Sequence, residues 1–285
     1  MFTTKTSAMP PRRQHSGIDI DVGCSFVFDL AVATHAVVMV EPRPEEVVTR
    51  SQFDVEPSTA SAVHLDPFGN VCRRITLPAG RVALHFGALV AVADIADPVV
   101  PDAAHVQPAA LPAAVLPFLL PSRYCESDRV ADLAFSEFGA VAPGWQRVQA
   151  ISDWVHGSIS FGYGSSSPSL SAIGALESRT GVCRDFAHVA IALCRAMNIA
   201  ARYVFGYLPD IGVRDPGTPM DFCAWMEVYL GDGWHTFDPR NNQRRAGRVV
   251  IGRGRDAADV AMVTSFGRAD LVSLDVRAAP VGRAA

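Results

Sequence analysis

The sequence predicts an α+β protein in two parts. A β-rich N-terminal domain of antiparallel, sandwich-like character precedes a domain in which a helix starting at Cys183 packs on an antiparallel sheet. Three observations carry this. The first third holds alternating or β-branched runs separated by short polar turns, with no helical period. A Pro- and Ala-rich crossing at 98–121 then interrupts the pattern. Beyond it the apolar spacing is helical, until a strongly amphipathic helix is followed at once by an alternating strand. The expected organisation is a disordered tail at 1–14, a β-rich domain at 15–112, a core domain at 113–275 and a tail at 276–285.

In the first domain, 18–22 and 25–32 alternate or run apolar, and 36–40 is rich in β-branched residues. Asp66-Pro67-Phe68-Gly69-Asn70 is a turn signal, followed by strands at 71–77 and 81–93. No chemical motif appears here, so a structural or docking role is expected. In the second domain, helical spacing runs over 127–138 and again over 144–159. A Gly/Ser-rich loop follows at 162–171, and 172–176 reads as a short helix. Phe186, Val189, Ala190, Leu193 and Met197 then form one continuous apolar helix face. Asn198 is a fitting left-handed stop, and 201–207 alternates as a strand.

Composition bounds the function. Hydrophobic residues make up 49% and charged residues 19%, enough apolar content for a real core. The net charge of −4 comes without a run of like charges, which argues against a nucleic-acid partner. No window approaches the roughly 20 apolar residues needed to span a bilayer. The polar N-terminus has no secretory apolar segment, so a soluble cytoplasmic protein is expected. Six scattered cysteines without a CxxC exclude a zinc ribbon and disfavour a secreted disulfide scaffold. No cofactor is expected.

Cys183 falls in the first turn of the amphipathic helix. Unpaired backbone N–H groups and the positive end of the helix dipole favour a thiolate there. The same N–H groups can hold an oxyanion when a carbonyl is attacked. Plain packing is the alternative reading of such a cysteine.

The surrounding residues are familiar. Thr180-Gly181-Val182-Cys183-Arg184-Asp185-Phe186-Ala187-His188 resembles the nucleophile motif of the bacterial transglutaminase-like family. Ala200-Ala201-Arg202-Tyr203-Val204 with Gly206-Tyr207 is similar to the strand that follows in that family. Asp221-Phe222-Cys223-Ala224-Trp225-Met226-Glu227-Val228-Tyr229 resembles the second catalytic motif, and Gly233-Trp234-His235-Thr236-Phe237-Asp238-Pro239 the third. Gly254 to Val260 is similar to the usual ending. The resemblance implies a papain-like core with a Cys–His–Asp triad and amidase, peptidase or acyl-transfer chemistry through a thioester. By position it makes Cys183 the nucleophile and Asp238 the orienting carboxylate. The middle position, where the family has His, falls on Cys223.

A triad base takes the thiol proton and later protonates the leaving amine, and a second thiol does not copy an imidazole. General acid–base help is worth about 10²- to 10⁴-fold, so its loss would cripple peptide cleavage. Among the other histidines, His188 lies about 140° round the helix from Cys183 at roughly 100° per residue. His235 has the opposite strand parity to Asp238. His156 ends a helix near the Gly/Ser loop and stays open as a substitute base.

Four readings follow. The chain is a degenerate relative that binds a peptide, acyl ligand or partner in the old cleft. Or it is an active thiol enzyme acting on activated acyl groups. Or Cys183 and Cys223 form a redox pair. Or Cys183, Cys223 and Asp238 bind zinc, for which no ligand-spacing motif speaks. Trp225 and Tyr163 are candidate cleft walls, with ordinary core packing the alternative for Trp225. Trp234 shares that choice, and Arg184 and Asp185 are expected to pair or cap the helix. Finally, Asp232-Gly233 reads as a hairpin turn. A regular ladder across it sets Asp238 opposite Glu227, so bringing Asp238 beside Cys223 needs a bulge or a different turn.

Overall fold

The structure is a computed structural model that describes residues 17–214 and 217–282. The expected tail at 1–14 lies outside the described residues. The chain begins with β1 (Gly17–Leu30), β2 (Thr34–Val38), β3 (Val47–Glu56), β4 (Ser61–Leu65), β5 (Val71–Leu77) and β6 (Gly80–Ala93). After short 3-10 turns come α1 (Ala131–Phe138), α2 (Trp145–Ser158), β7 (Ser160–Phe161), α3 (Ala172–Ser178), β8 (Thr180–Gly181) and α4 (Cys183–Ala196). The chain continues with β9 (Ala201–Tyr207), β10 (Cys223–Leu230), β11 (Gly233–Phe237), β12 (Val249–Gly254), β13 (Val263–Ser265) and β14 (Asp270–Pro280).

These strands form three four-stranded antiparallel sheets, ordered β14-β1-β6-β3, β13-β2-β5-β4 and β11-β10-β9-β12. A parallel pair, β7 with β8, sits beside them. The first two sheets send Phe26, Leu84, Val38 and Leu77 into one core that continues into the helical half. The α+β class with mostly antiparallel sheets is therefore as the sequence predicts.

The C-terminal boundary needs correction. Residues 276–280 are not tail: β14 runs through Pro280 and pairs with β1 from Ile20↔Pro280 to Asp29↔Asp270. β13 likewise joins β2. Residues 263–280 thus return to the N-terminal sheets instead of extending the core domain or trailing from it. Their side chains are largely exposed, so the strands are held by backbone ladders, which leave no apolar period to read. The edge strands β3 and β4 escaped the sequence reading for the same reason.

The two halves are welded at the end of β9 and the approach to β10. Phe222 packs against Phe205 and Tyr207, with centroids at 4.9 and 5.1 Å, and against Phe26 of β1 at 6.3 Å. The Tyr207 hydroxyl donates to the Val40 carbonyl oxygen at 3.0 Å. Gly206 leaves space for a neighbour, because a Cβ there would lie 2.8 Å from the Trp225 ring and collide with the Val249 carbonyl.

The outer surface of the third sheet carries a buried charge cluster. Arg202 Nε and Arg253 Nε donate to Glu227 Oε2 at 2.7 and 2.9 Å. Burial alone would raise the Glu227 carboxyl, but the two guanidinium groups outweigh it and hold it below the ordinary value. A depressed folded-state value contributes stability that is complete above the unfolded value and lost as pH falls through the folded one. Glu227→Gln is therefore expected to cost about 1.5–3 kcal/mol at neutral pH. Urea unfolding should show that difference narrowing below the ordinary carboxylate value of 4.5.

Candidate functional site

Cys183 is the first residue of α4, and the local sequence explains why the helix starts there. Val182 is extended, with φ −107° and ψ 177°. The buried Asp185 carboxylate turns back to accept the Val182 N–H at 2.9 Å, and Arg184 donates to it at 3.0 Å. Arg184 also donates to Ser166 Oγ at 2.7 Å and the Ser167 carbonyl oxygen at 2.6 Å, which ties the Gly/Ser loop to the helix start. Arg184 and Asp185 thus have the pairing and capping roles expected of them.

α4 packs on β9 and β10, and this brings the Cys183 thiol to Cys223 at the start of β10. Both cysteines are half-buried. The Cys183 thiol donates to the Phe222 carbonyl oxygen at 3.9 Å and the Cys223 thiol to that of Ala224 at 3.7 Å. The neighbouring Cys223 lowers the Cys183 thiol below its ordinary value against the opposing effect of burial. The helix N-terminus acts in the same direction. Cys223 moves the other way, raised by the neighbouring Cys183 and then by burial. The charge of this pair therefore rests on Cys183. All six cysteines are free.

Asp238 approaches because the hairpin turn sits one residue earlier than expected. Gly231 (φ +60°) and Asp232 form the turn, Leu230 pairs with Gly233, and Met226 pairs with Phe237. The expected Asp238–Glu227 register is corrected: Glu227 faces Thr236, and Asp238 emerges past the end of β11 two positions closer to Cys223. No bulge is needed. Asp238 is 6% exposed and its carboxylate accepts three hydrogen bonds. Its Oδ1 accepts the Asn241 N–H at 2.9 Å, and its Oδ2 accepts Asn241 Nδ2 at 2.9 Å and Arg248 Nη2 at 3.0 Å.

Arg248 is the residue that the sequence reading missed. It donates to both oxygens of Asp97 at 3.0 Å as well as to Asp238. Burial works against its charge, but Asp238 and Asp97 prevail and hold its guanidinium above the ordinary arginine value. The guanidinium also lies 4.6 Å from the Trp225 ring centroid. No spacing signal announces Arg248; only Asp97, from the crossing at 98–121's edge, and Asp238 identify it.

A cleft of about 150 Å³ opens onto the two thiols. Phe161, Tyr163, Leu208, Met220 and Phe222 supply apolar lining, and Asp221, Arg240 and Arg245 supply charge. Tyr163 thus borders the cleft as expected. Trp225 does not, and its assignment as a cleft wall is corrected: it is fully buried and packs on Val204 and Val250. Trp234 packs against Phe118 and Tyr229, under the Arg202 guanidinium. Burial pushes the Asp221 carboxyl up.

Among the described residues no histidine lines this cleft. His188 is fully buried between Tyr124 and Tyr203, with Nε2 accepting the Ala257 N–H at 3.1 Å. Burial pushes it well below the ordinary imidazole value. His235 faces Trp145 and the Leu230 carbonyl. His156 turns Nδ1 to the carbonyl oxygens of Arg240 and Pro239 at 3.0 and 3.2 Å. Nor do the described residues hold a group of three His, Cys, Asp or Glu side chains arranged for a metal ion.

Residues 136–239 match the family model described as the transglutaminase-like superfamily. The fold is similar to the crystal structure of a candidate cysteine protease from Cytophaga hutchinsonii. The two are 30% identical, with a TM-score of 0.86, over 94% of this chain and 92% of that one. An uncharacterized protein of Mycobacterium tuberculosis is 35% identical over 144 residues, 47% of this chain and 46% of the relative. One of Mycobacterium leprae is 33% identical over 117 residues, 40% of this chain and 42% of the relative. The matches thus span less than half the length of these curated relatives. No helix among the described residues is long and apolar enough to cross a membrane.

Proposed function

The chain belongs to the transglutaminase-like superfamily, and from that premise we propose that it is a catalytically degenerate member, with Cys223 at the place of the triad histidine, that binds a peptide or acyl-type ligand in the cleft over Cys183. One observation carries this reading: the cleft over Cys183 holds a second thiol, Cys223, and among the described residues no imidazole lines it. Amide cleavage needs a group that takes the thiol proton and returns one to the leaving amine. Cys223 is pushed up by the neighbouring Cys183 and by burial, and a thiol does not do the work of an imidazole base. The carboxylate at 238 is held by Arg248 and Asn241, with no imidazole among the described residues of the cleft for it to orient. A cytoplasmic setting suits six unpaired cysteines, and neither a nucleic acid nor a membrane is a proposed partner.

Incubation of the full chain with peptide anilides is expected to release no amine above the level of Cys183→Ala. Release that Cys183→Ala abolishes would overturn the reading.

A second reading, acyl transfer from activated thioesters, is favoured by the lowered Cys183 thiol, since a thiolate leaving group needs little protonation. Asp221, whose carboxyl is pushed up by burial, lines the same cleft. An acyl group retained on Cys183 after mixing with a thioester, seen by mass spectrometry, supports this reading; an unmodified chain removes it.

A further inference from the structure

We propose that Cys183 and Cys223 act together as a dithiol that exchanges with small disulfides, cycling between two thiols and an intramolecular disulfide. The proposal stands on the thiol pair and not on ligand binding, so it holds or fails separately from the function argued above.

The geometry supplies what this chemistry requires. The attacking sulfur must be accessible and thiolate-rich, and a second thiol must lie beside it. Cys183 is half-buried at the head of a 14-residue helix, at the floor of the cleft. Cys223, at the first position of β10, lines the same cleft, and the Cys183 sulfur lies 3.9 Å from the carbonyl oxygen of Phe222, the residue before it. No imidazole is needed, because the group expelled is a thiolate and not an amine. A cysteine in contact with the nucleophile has no use in amide cleavage, but it is the resolving partner in thiol–disulfide exchange.

The steps balance. The Cys183 thiolate attacks one sulfur of RS–SR, the S–S bond breaks, and RS⁻ leaves as a Cys183–S–SR mixed disulfide forms. The Cys223 proton passes to RS⁻ or to water. The Cys223 sulfur then attacks Cys183, expelling the second RS⁻, which takes a proton from solvent. In sum two protein thiols become one disulfide and RS–SR becomes two RSH.

The surroundings of the two thiols also set the order of attack. Cys223 is pushed up chiefly by the neighbouring Cys183 sulfur. Once Cys183 is capped it carries no negative charge, and that restraint is gone. Burial and the Asp238 charge still hold Cys223 up, and the Arg248 guanidinium opposes them. The first partner's capture thereby activates the second.

The remaining cysteines are silent bystanders, which makes the test clean. Cys24, Cys125 and Cys194 are buried and pushed up to about 12, and buried Cys72 to about 11. The full chain is mixed with bis(2-hydroxyethyl) disulfide near neutral pH, quenched with iodoacetamide and mapped by mass spectrometry. Wild type is expected to lose the mass of two hydrogen atoms and to yield a Cys183–Cys223 cross-linked peptide. Cys223→Ser is expected to accumulate the mixed disulfide on residue 183, and Cys183→Ser to leave Cys223 unmodified. The first step in the wild type should run about tenfold faster than with a free thiol. A wild type that stops at the mixed disulfide, or a Cys183 that reacts no faster than the free thiol, overturns the proposal. Circular dichroism of each serine variant separates a folding failure from a chemical one.

Discussion

Replacing Cys223 with histidine is expected to confer amide hydrolysis on the cleft, raising the release of amine from a peptide anilide about 10²- to 10⁴-fold over wild type. The imidazole would stand where the second thiol now meets the Cys183 sulfur. Room exists, because position 223 is half-buried and opens on the cleft. An orienting carboxylate is in place as well. An ionised carboxylate offers about four acceptor sites, and Asn241 and Arg248 use three of those on Asp238. One remains for an imidazole N–H. Adding Cys183→Ala to the variant should return the rate to background. If C223H folds and stays inert, the Arg248 clamp has turned Asp238 away from the site, and Cys223 is not the residue that silences the cleft.

Removing the Arg248 side-chain charge should produce the largest loss of stability available by a single change near the site. Arg248→Met strands two carboxylates: Asp238, whose side chain is 2% exposed, and Asp97, at 14%. Breaking one partner out of a buried ion pair costs about 3–5 kcal/mol, since the remaining charge keeps its desolvation penalty without compensation. The shift in the urea midpoint at constant slope measures this directly. Adding Asp97→Asn to Arg248→Met should recover part of the loss, because one stranded charge is gone. Equal stability of R248M and wild type would mean that the cluster contributes geometry alone.

That cluster also explains the shape of the site. Arg248 joins residues 97 and 238, which no sequence pattern links, and it lies against the Trp225 ring. The arginine therefore locks the end of the β10–β11 hairpin to the segment before the helical half. The same locking buries Trp225 and removes it from the cleft wall.

Much of this was open to a reader of the sequence, and the reason is local. The apolar spacing of Phe186, Val189, Ala190 and Leu193 requires a helix buried on one face, and such a helix puts Cys183 in its first turn whatever packs around it. Alternation over 201–207 requires a strand immediately after. Strand β5 appears at its expected bounds because its inward side chains alternate. Motif order along the chain was enough to indicate the transglutaminase-like core.

What the tertiary structure alone decided are relations between distant residues. Moving the turn to Gly231 and Asp232 changes which residues face each other along β10 and β11, and turn position depends on one positive φ angle rather than on any apolar period. The pairing of β14 with β1 rests on backbone hydrogen bonds, which every residue offers and no side-chain pattern marks. Whether His156, His188 or His235 reaches the thiol depends on three-dimensional packing, and each ring is committed elsewhere. Side-chain periodicity thus determined which elements form and where Cys183 sits, while long-range contact determined that its cleft holds a second thiol and, among the described residues, no imidazole.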